Sequence, residues 1–165
     1  MSRAVARAAV AALLFGLPAA VNAQAPLMER NISVQLARMA ADGALEQCQK
    51  DGYDISVVVV DRSGQVRLLI RGDKSQPHNT DLARRKAYTA RTFRMTSMDW
   101  AKRTTERPEL APQRNLAEVI ALGGGVPISI GDDTIGAIGV SGAPGQDKDE
   151  ACARAGVARI AGLLK

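Results

Sequence analysis

The chain has 165 residues, with 22 Lys and Arg against 17 Asp and Glu and a formal net charge of +5. One Trp, two Tyr and two Phe are too few for the interleaved aromatic and basic surface that single-stranded nucleic acid uses. Setting aside the first 23 residues removes Arg3 and Arg7 and no acid, so 20 basic residues face 17 acidic ones, and a net charge of +3 is too weak a bias to point to nucleic acid.

Residues 1–23 read as a secretory signal peptide. Arg3 and Arg7 form a positive n-region, and Ala8 to Ala20 an apolar h-region too short to span a bilayer comfortably. Val21-Asn22-Ala23 is a small-x-small cleavage site, and polar Asn22 and Gln24 argue against an uncleaved anchor. The expectation is one exported domain over residues 24–165, periplasmic or secreted, with no membrane association after cleavage. Its 142 residues (165 less 23) are enough for one domain with a substantial core. In an oxidising compartment the two cysteines, Cys48 and Cys152, favour a disulfide over free thiols. Each stands alone, so neither builds a CxxC metal cluster. A catalytic thiol would need the single histidine, His78, as its partner.

Asn31 to Lys50 has a helical pattern, with Leu36, Ala40, Ala44 and Cys48 on one face and Gly52 as its stop. Ile55 to Val60 is β-branched and apolar on both faces, the signature of a central strand. Asp61-Arg62-Ser63-Gly64 turns the chain into a returning strand, Val66 to Ile70. Asp61 can hold this turn through its own backbone.

Gly72 to Ser97 then holds His78 and a cluster of cations: Arg84, Arg85, Lys86, Arg91 and Arg94. A turn-rich lead-in runs into a helix whose N-cap is Asn79, Thr80 or Asp81. Ala83, Ala87 and Ala90 form a small-residue strip with Leu82 and Phe93 beside it, while Arg84, Tyr88 and Arg91 share another side. Such a flank is either a solvated surface with an incidental loop histidine or one wall of a site.

Thr96-x-x-Asp99 has capping-box spacing and starts a short helix. Arg107 to Asn115, with two prolines, reads as a loop, and Leu116 to Ala121 as a short strand or a helical turn. Val126–Ile130 and Thr134–Val140 form a second hairpin, whose glycines mark the close approach of a backbone or a ligand. Asp147 opens the last helix, with Glu150 three residues on. No GxxxxGK[ST] phosphate cradle is present. The order helix, hairpin, helices, strands, helix gives an α+β domain with an antiparallel sheet of about five strands.

Five segments carry a family resemblance: Val57 to Gly64 (VVVVDRSG), Lys86 to Ala90 (KAYTA), Gly124 to Ile128 (GGVPI), Gly136 to Gly142 (GAIGVSG) and Asp149 to Cys152 (DEAC). In this order and spacing the whole mature chain resembles the GlcG/HbpS family, also found as the C-terminal domain of PduO-type proteins. The resemblance implies a profilin-like fold with helices on both faces of the sheet, and a homo-oligomer. It also places the first and last helices on one side, where Cys48 and Cys152 can meet.

Characterised members bind haem, so the resemblance implies an exported haem-binding protein acting in haem sensing, storage or redox stress. On this chain His78 is the candidate iron ligand, with Met95, Tyr88 and Thr89 as weaker residue types. Arg84, Arg85 or Arg91 suit the propionates, and Phe93 and Leu82 the porphyrin plane. The cofactor set is therefore His78, Arg84, Tyr88, Arg91 and Phe93. Two other readings stand beside it: an enzyme or binding protein for a small carboxylate metabolite, and a structural or partner-binding module. His78, Asp61 and Lys86 are the available general bases, but no nucleophile–base pair has a diagnostic spacing, which weighs against an enzyme. A buried Lys86 would need a carboxylate, with Asp61 the first candidate.

Intact-mass analysis of exported material is expected to give a chain starting at Gln24. Membrane-bound protein that keeps its first 23 residues would contradict the signal peptide.

Overall fold

The computed structural model describes residues 25–165, so the leader and its cleavage site after Ala23 lie outside it. Val57, Val58, Val59 and Val60 are completely buried in β1 (Ser56–Asp61). The strand's two-residue period sends Val57 and Val59 to one face and Val58 and Val60 to the other, into separate apolar clusters. A strand buried on both faces belongs inside a sheet. With β2 (Val66–Arg71), β3 (Gly125–Ile130) and β4 (Asp133–Ser141), β1 forms an antiparallel sheet in the order β2-β1-β4-β3.

On one face, α1 (Val34–Lys50) and α4 (Gln146–Ile160) cover Val57, Val59, Ile138 and Val140. The two helices cross nearly backbone to backbone: a Cβ on Gly156 would lie 2.4 Å from the Ala40 carbonyl oxygen. The Cys48–Cys152 disulfide ties them together, with Cα atoms 5.6 Å apart. On the other face lies α2 (Asn79–Phe93), its Ala83, Ala87 and Ala90 stripe fully buried against Val58, Val60 and Ala137. The approach is close because the sheet offers glycine there: a Cβ on Gly139 would lie 2.0 Å from the Ala83 carbonyl oxygen, and one on Gly125 2.1 Å from that of Lys86. Gly125 and Gly139 thus admit a helix backbone, while Gly136 faces Ile32 and Gly142 the Asp54–Ile55 backbone. α3 (Ser97–Glu106) follows, capped by Thr96, whose Oγ accepts from the Asp99 amide at 3.1 Å as the capping-box spacing predicts. Among the described residues no helix is long and apolar enough to cross a membrane.

The sheet has four strands among the described residues rather than about five. Leu116 to Ala121 is neither strand nor helix, since Glu118 takes φ 70° and breaks the extended run. Side chains of α2 then take over its backbone bonding. Thr89 Oγ accepts from the Ile120 amide at 2.9 Å, and Arg85 donates to the Val119 carbonyl at 2.7 Å. The segment expected to be a loop after Arg107 is a 3₁₀ helix, Pro108–Asn115. Arg114 fastens it to α3 through Thr104 Oγ at 2.8 Å and the Ala101 carbonyl at 2.8 Å.

Because the disulfide joins positions 104 residues apart, replacing both cysteines by alanine is expected to cost at most about 4–5 kcal/mol. Urea unfolding of the oxidised protein and the double variant measures this. Two free thiols in denatured, unreduced protein would show that the bridge does not form.

Candidate functional site

α2 carries nearly all the residues singled out in the sequence, and the structure spreads them along its length. His78, not Asn79, Thr80 or Asp81, occupies the N-cap position. It is exposed, has φ −74° and ψ −18°, and makes no side-chain capping bond. Asn79 is instead turned inward and buried, donating to Ser75 Oγ at 3.3 Å and accepting from Ser141 Oγ at 3.3 Å. At ~1.5 Å of rise per residue, Tyr88 stands about 15 Å and Arg91 about 20 Å along the helix from His78.

Arg84 is engaged by two carboxylates, Asp81 at 2.9 Å and Glu118. Arg85 is spent on the Val119 carbonyl. Phe93 stacks on buried Trp100, with ring centroids 4.7 Å apart and planes 21° apart, and so serves α2–α3 packing. Arg91 differs from these. Its Nε is buried without a hydrogen-bond partner among the described residues, and none of the ion pairs found there includes it. Burial, then the neighbouring Arg62 and Arg94 cations, hold its guanidinium below the usual arginine range, partly offset by Asp133 and Asp61.

Arg91 opens into a cleft of about 170 Å³ between α2 and the β1–β2 turn, lined by Arg62, Ser63, Gly64, Tyr88, Arg91 and Thr92. Asp61 builds the turn wall. Its carboxylate accepts from the Ser63 and Gln65 amides at 2.8 and 3.0 Å and pairs with Arg67 at 3.1 Å. Gly64 is required twice over: its φ is 78°, and a Cβ there would lie 2.8 Å from the Tyr88 ring. Arg62 is fixed by Glu29 at 3.2 Å and by Asp133. Sequence reasoning placed Tyr88 and Arg91 together but missed Arg62, Ser63, Gly64 and Thr92. The available signal was an arginine in a tight turn directly after a buried strand.

Lys86 is buried and does have a carboxylate partner, but that partner is Asp149, at 2.7 Å, and not Asp61. Lys86 Nζ also donates to the Val140 carbonyl at 3.1 Å, while Asp149 accepts from the Ala143 amide at 2.9 Å. Burial pushes the Asp149 carboxyl above its ordinary pKa, with the Lys86 ammonium and the backbone amides opposing. Neither side chain is exposed enough to act as a general base on a bound substrate, so the pair is a structural tether.

The layered arrangement and its connectivity define an α+β domain of the profilin-like class. The family model described as haem-degrading protein HbpS-like matches residues 32–158, and the chain belongs to that family. Protein GlcG of Escherichia coli K12 is 33% identical over 115 residues, covering 67% of this chain and 81% of GlcG. The crystal structure of HbpS is 35% identical, covers 84% of this chain and 97% of its own, and superposes with a TM-score of 0.78. A PduOC–haem complex shares the fold at 22% identity and a TM-score of 0.71, covering 79% of this chain and 95% of its own.

Lys86→Met or Asp149→Asn alone is expected to destabilise by about 3–5 kcal/mol, because each strands a buried polar partner, while the double variant recovers most of the loss. Urea unfolding of the four proteins gives the coupling. Simple additivity would deny the pair its tethering role.

Proposed function

We propose that the protein is an exported haem-binding protein, serving haem sensing, storage or redox stress. The observation that carries this reading is membership of a family described as haem-degrading, with 35% identity to HbpS across nearly all of that chain. Bound haem supplies the redox and oxygen chemistry of its iron, and the polypeptide supplies ligation and orientation.

The fit of this chain's residues to haem is uneven. His78 suits an axial ligand, since its imidazole is exposed and free of a capping bond at the rigid end of a 15-residue helix. The cleft beside Arg91 is too small for a porphyrin at about 170 Å³. Arg91 is also about 20 Å along α2 from His78, farther than a propionate reaches from its own iron. Arg84 would have to leave two carboxylates to serve. These features support haem seated on the outer surface around the start of α2, open on one side or covered by a second copy of the chain in a homo-oligomer.

Haemin titrated into the mature protein is expected to give a sharp Soret band that saturates at a fixed ratio of haem to chain. His78→Ala should shift that band or weaken binding with the fold intact, because the residue caps the helix without bonding it. Imidazole ligates in its neutral form, so acidification weakens the complex. Arg84→Ala should have a smaller effect than His78→Ala. A spectrum and affinity unchanged in His78→Ala would move the ligand to Met95 or Tyr88, and no saturable Soret band at all would remove the haem reading.

A further inference from the structure

An arginine whose Nε is both buried and unpartnered is a costly feature unless something else meets it. Arg91 is such a residue; protein atoms cover its Nε, while its two terminal guanidinium nitrogens, which likewise make no hydrogen bond among the described residues, stay accessible beside a cleft. The surrounding charges can be counted. Arg62 is held between two carboxylates, Glu29 and Asp133, and Arg67 pairs with Asp61. Those groups together carry one negative charge. Arg91 and the exposed Arg94 carry two positive charges, so among these described side chains the balance is one positive charge. A guanidinium offers its N–H groups in a planar fork that matches a carboxylate. The Ser63 hydroxyl and the Tyr88 phenol, from opposite walls, add two groups able to donate to an oxyanion or to a polar substituent beside it. The cleft has room for several water-sized groups, which admits a short chain and no large ring.

We propose that the cleft between the Arg62–Gly64 turn and the Tyr88–Thr92 segment of α2 is a binding site for a short-chain monocarboxylate, with Arg91 as the residue that receives the carboxylate. Arg62 forms the far wall and is itself already neutralised, so the site suits a monoanion better than a phosphate dianion. The site does not rest on haem binding, because it uses neither His78 nor the start of α2.

The test uses haem-free mature protein with its disulfide intact, and sodium acetate as the probe at constant ionic strength set with sodium chloride. The Arg91 Nε–H resonance, assigned by its loss in Arg91→Gln, should move saturably with a dissociation constant on the order of millimolar, as suits so small a ligand. The melting temperature should rise as acetate saturates the site. Tyr88→Phe should weaken acetate roughly 3- to 10-fold, the loss of one hydrogen bond. Arg91→Gln should abolish the saturable response, yet its melting temperature without acetate should equal or exceed that of the wild type, since repulsion between Arg91 and the Arg62 and Arg94 cations is removed. His78→Ala should bind acetate like the wild type.

A response that chloride reproduces, or that never saturates, overturns the proposal, as does inorganic phosphate binding more tightly than acetate. An Arg91→Gln protein less stable than the wild type would make Arg91 a structural residue and also overturn it. Haemin that displaces acetate would make the cleft a propionate seat and end its standing as a separate site. Failure of the Soret titration, by contrast, leaves the acetate result unaffected.

Discussion

The fold depends on how closely α2 lies on the sheet. Ordinary side chains would hold a helix backbone about 10 Å from a sheet, the spacing of packed layers. Here the facing positions are Gly125 and Gly139 on the strands and Ala83, Ala87 and Ala90 on the helix, and the carbonyls of Ala83 and Lys86 occupy the space where strand Cβ atoms would stand. The contact fixes the helix in depth and in register. It also determines what the helix's other sides can do. With the alanine stripe pressed down, Tyr88 and Arg91 are held against the β1–β2 turn, and His78 is left at the exposed end.

Close backbone packing buries little apolar side-chain area, so this layer is fastened by polar bonds as well. The Lys86–Asp149 pair runs from α2 past the C-terminal end of β4 to the start of α4, joining the two helical layers across the sheet. Ser56, Ser75, Asn79 and Ser141 continue the network beside it, with Ser56 and Ser75 hydroxyls 2.9 Å apart. A buried ion pair adds little net stability over a well-packed apolar pair, but it tolerates few alternative arrangements. In this chain it supplies registration, while the Cys48–Cys152 bridge holds α1 and α4 together on the opposite face.

What the sequence disclosed follows the range of the interactions. Local patterns were legible: the valine run of β1, the alanine stripe of α2, the Thr96–Asp99 cap and the Asp61 turn all depend on neighbours within a few positions. The disulfide was legible from the expected oxidising compartment and from the family resemblance, which puts the first and last helices on one side of the sheet. The partner of Lys86 was not, because Asp149 lies 63 residues away and no local pattern distinguishes it from Asp61. The same holds for the cleft. Its two walls come from segments more than twenty residues apart in the chain, and each looks like an ordinary turn or an ordinary basic helix until the fold places them face to face. The fifth strand failed because Thr89 and Arg85 satisfy the backbone that a neighbouring strand would otherwise have claimed.

His78 and Arg91 were read from the sequence as parts of one site, and the helix that carries both separates them. A rigid helix cannot shorten, and α2 is held to the sheet by the glycine contacts and by Lys86, so no bending brings its ends within reach of one ligand. Two consequences follow from this geometry alone. A group ligated at His78 must find its remaining contacts among residues near the start of α2 or on another copy of the chain. A ligand at Arg91 communicates with His78 only if it shifts α2 as a unit, and such a shift would push helix carbonyls into the Gly125 and Gly139 backbone while stretching a buried ion pair. The packing that makes each end of α2 well defined therefore also makes the two ends energetically independent.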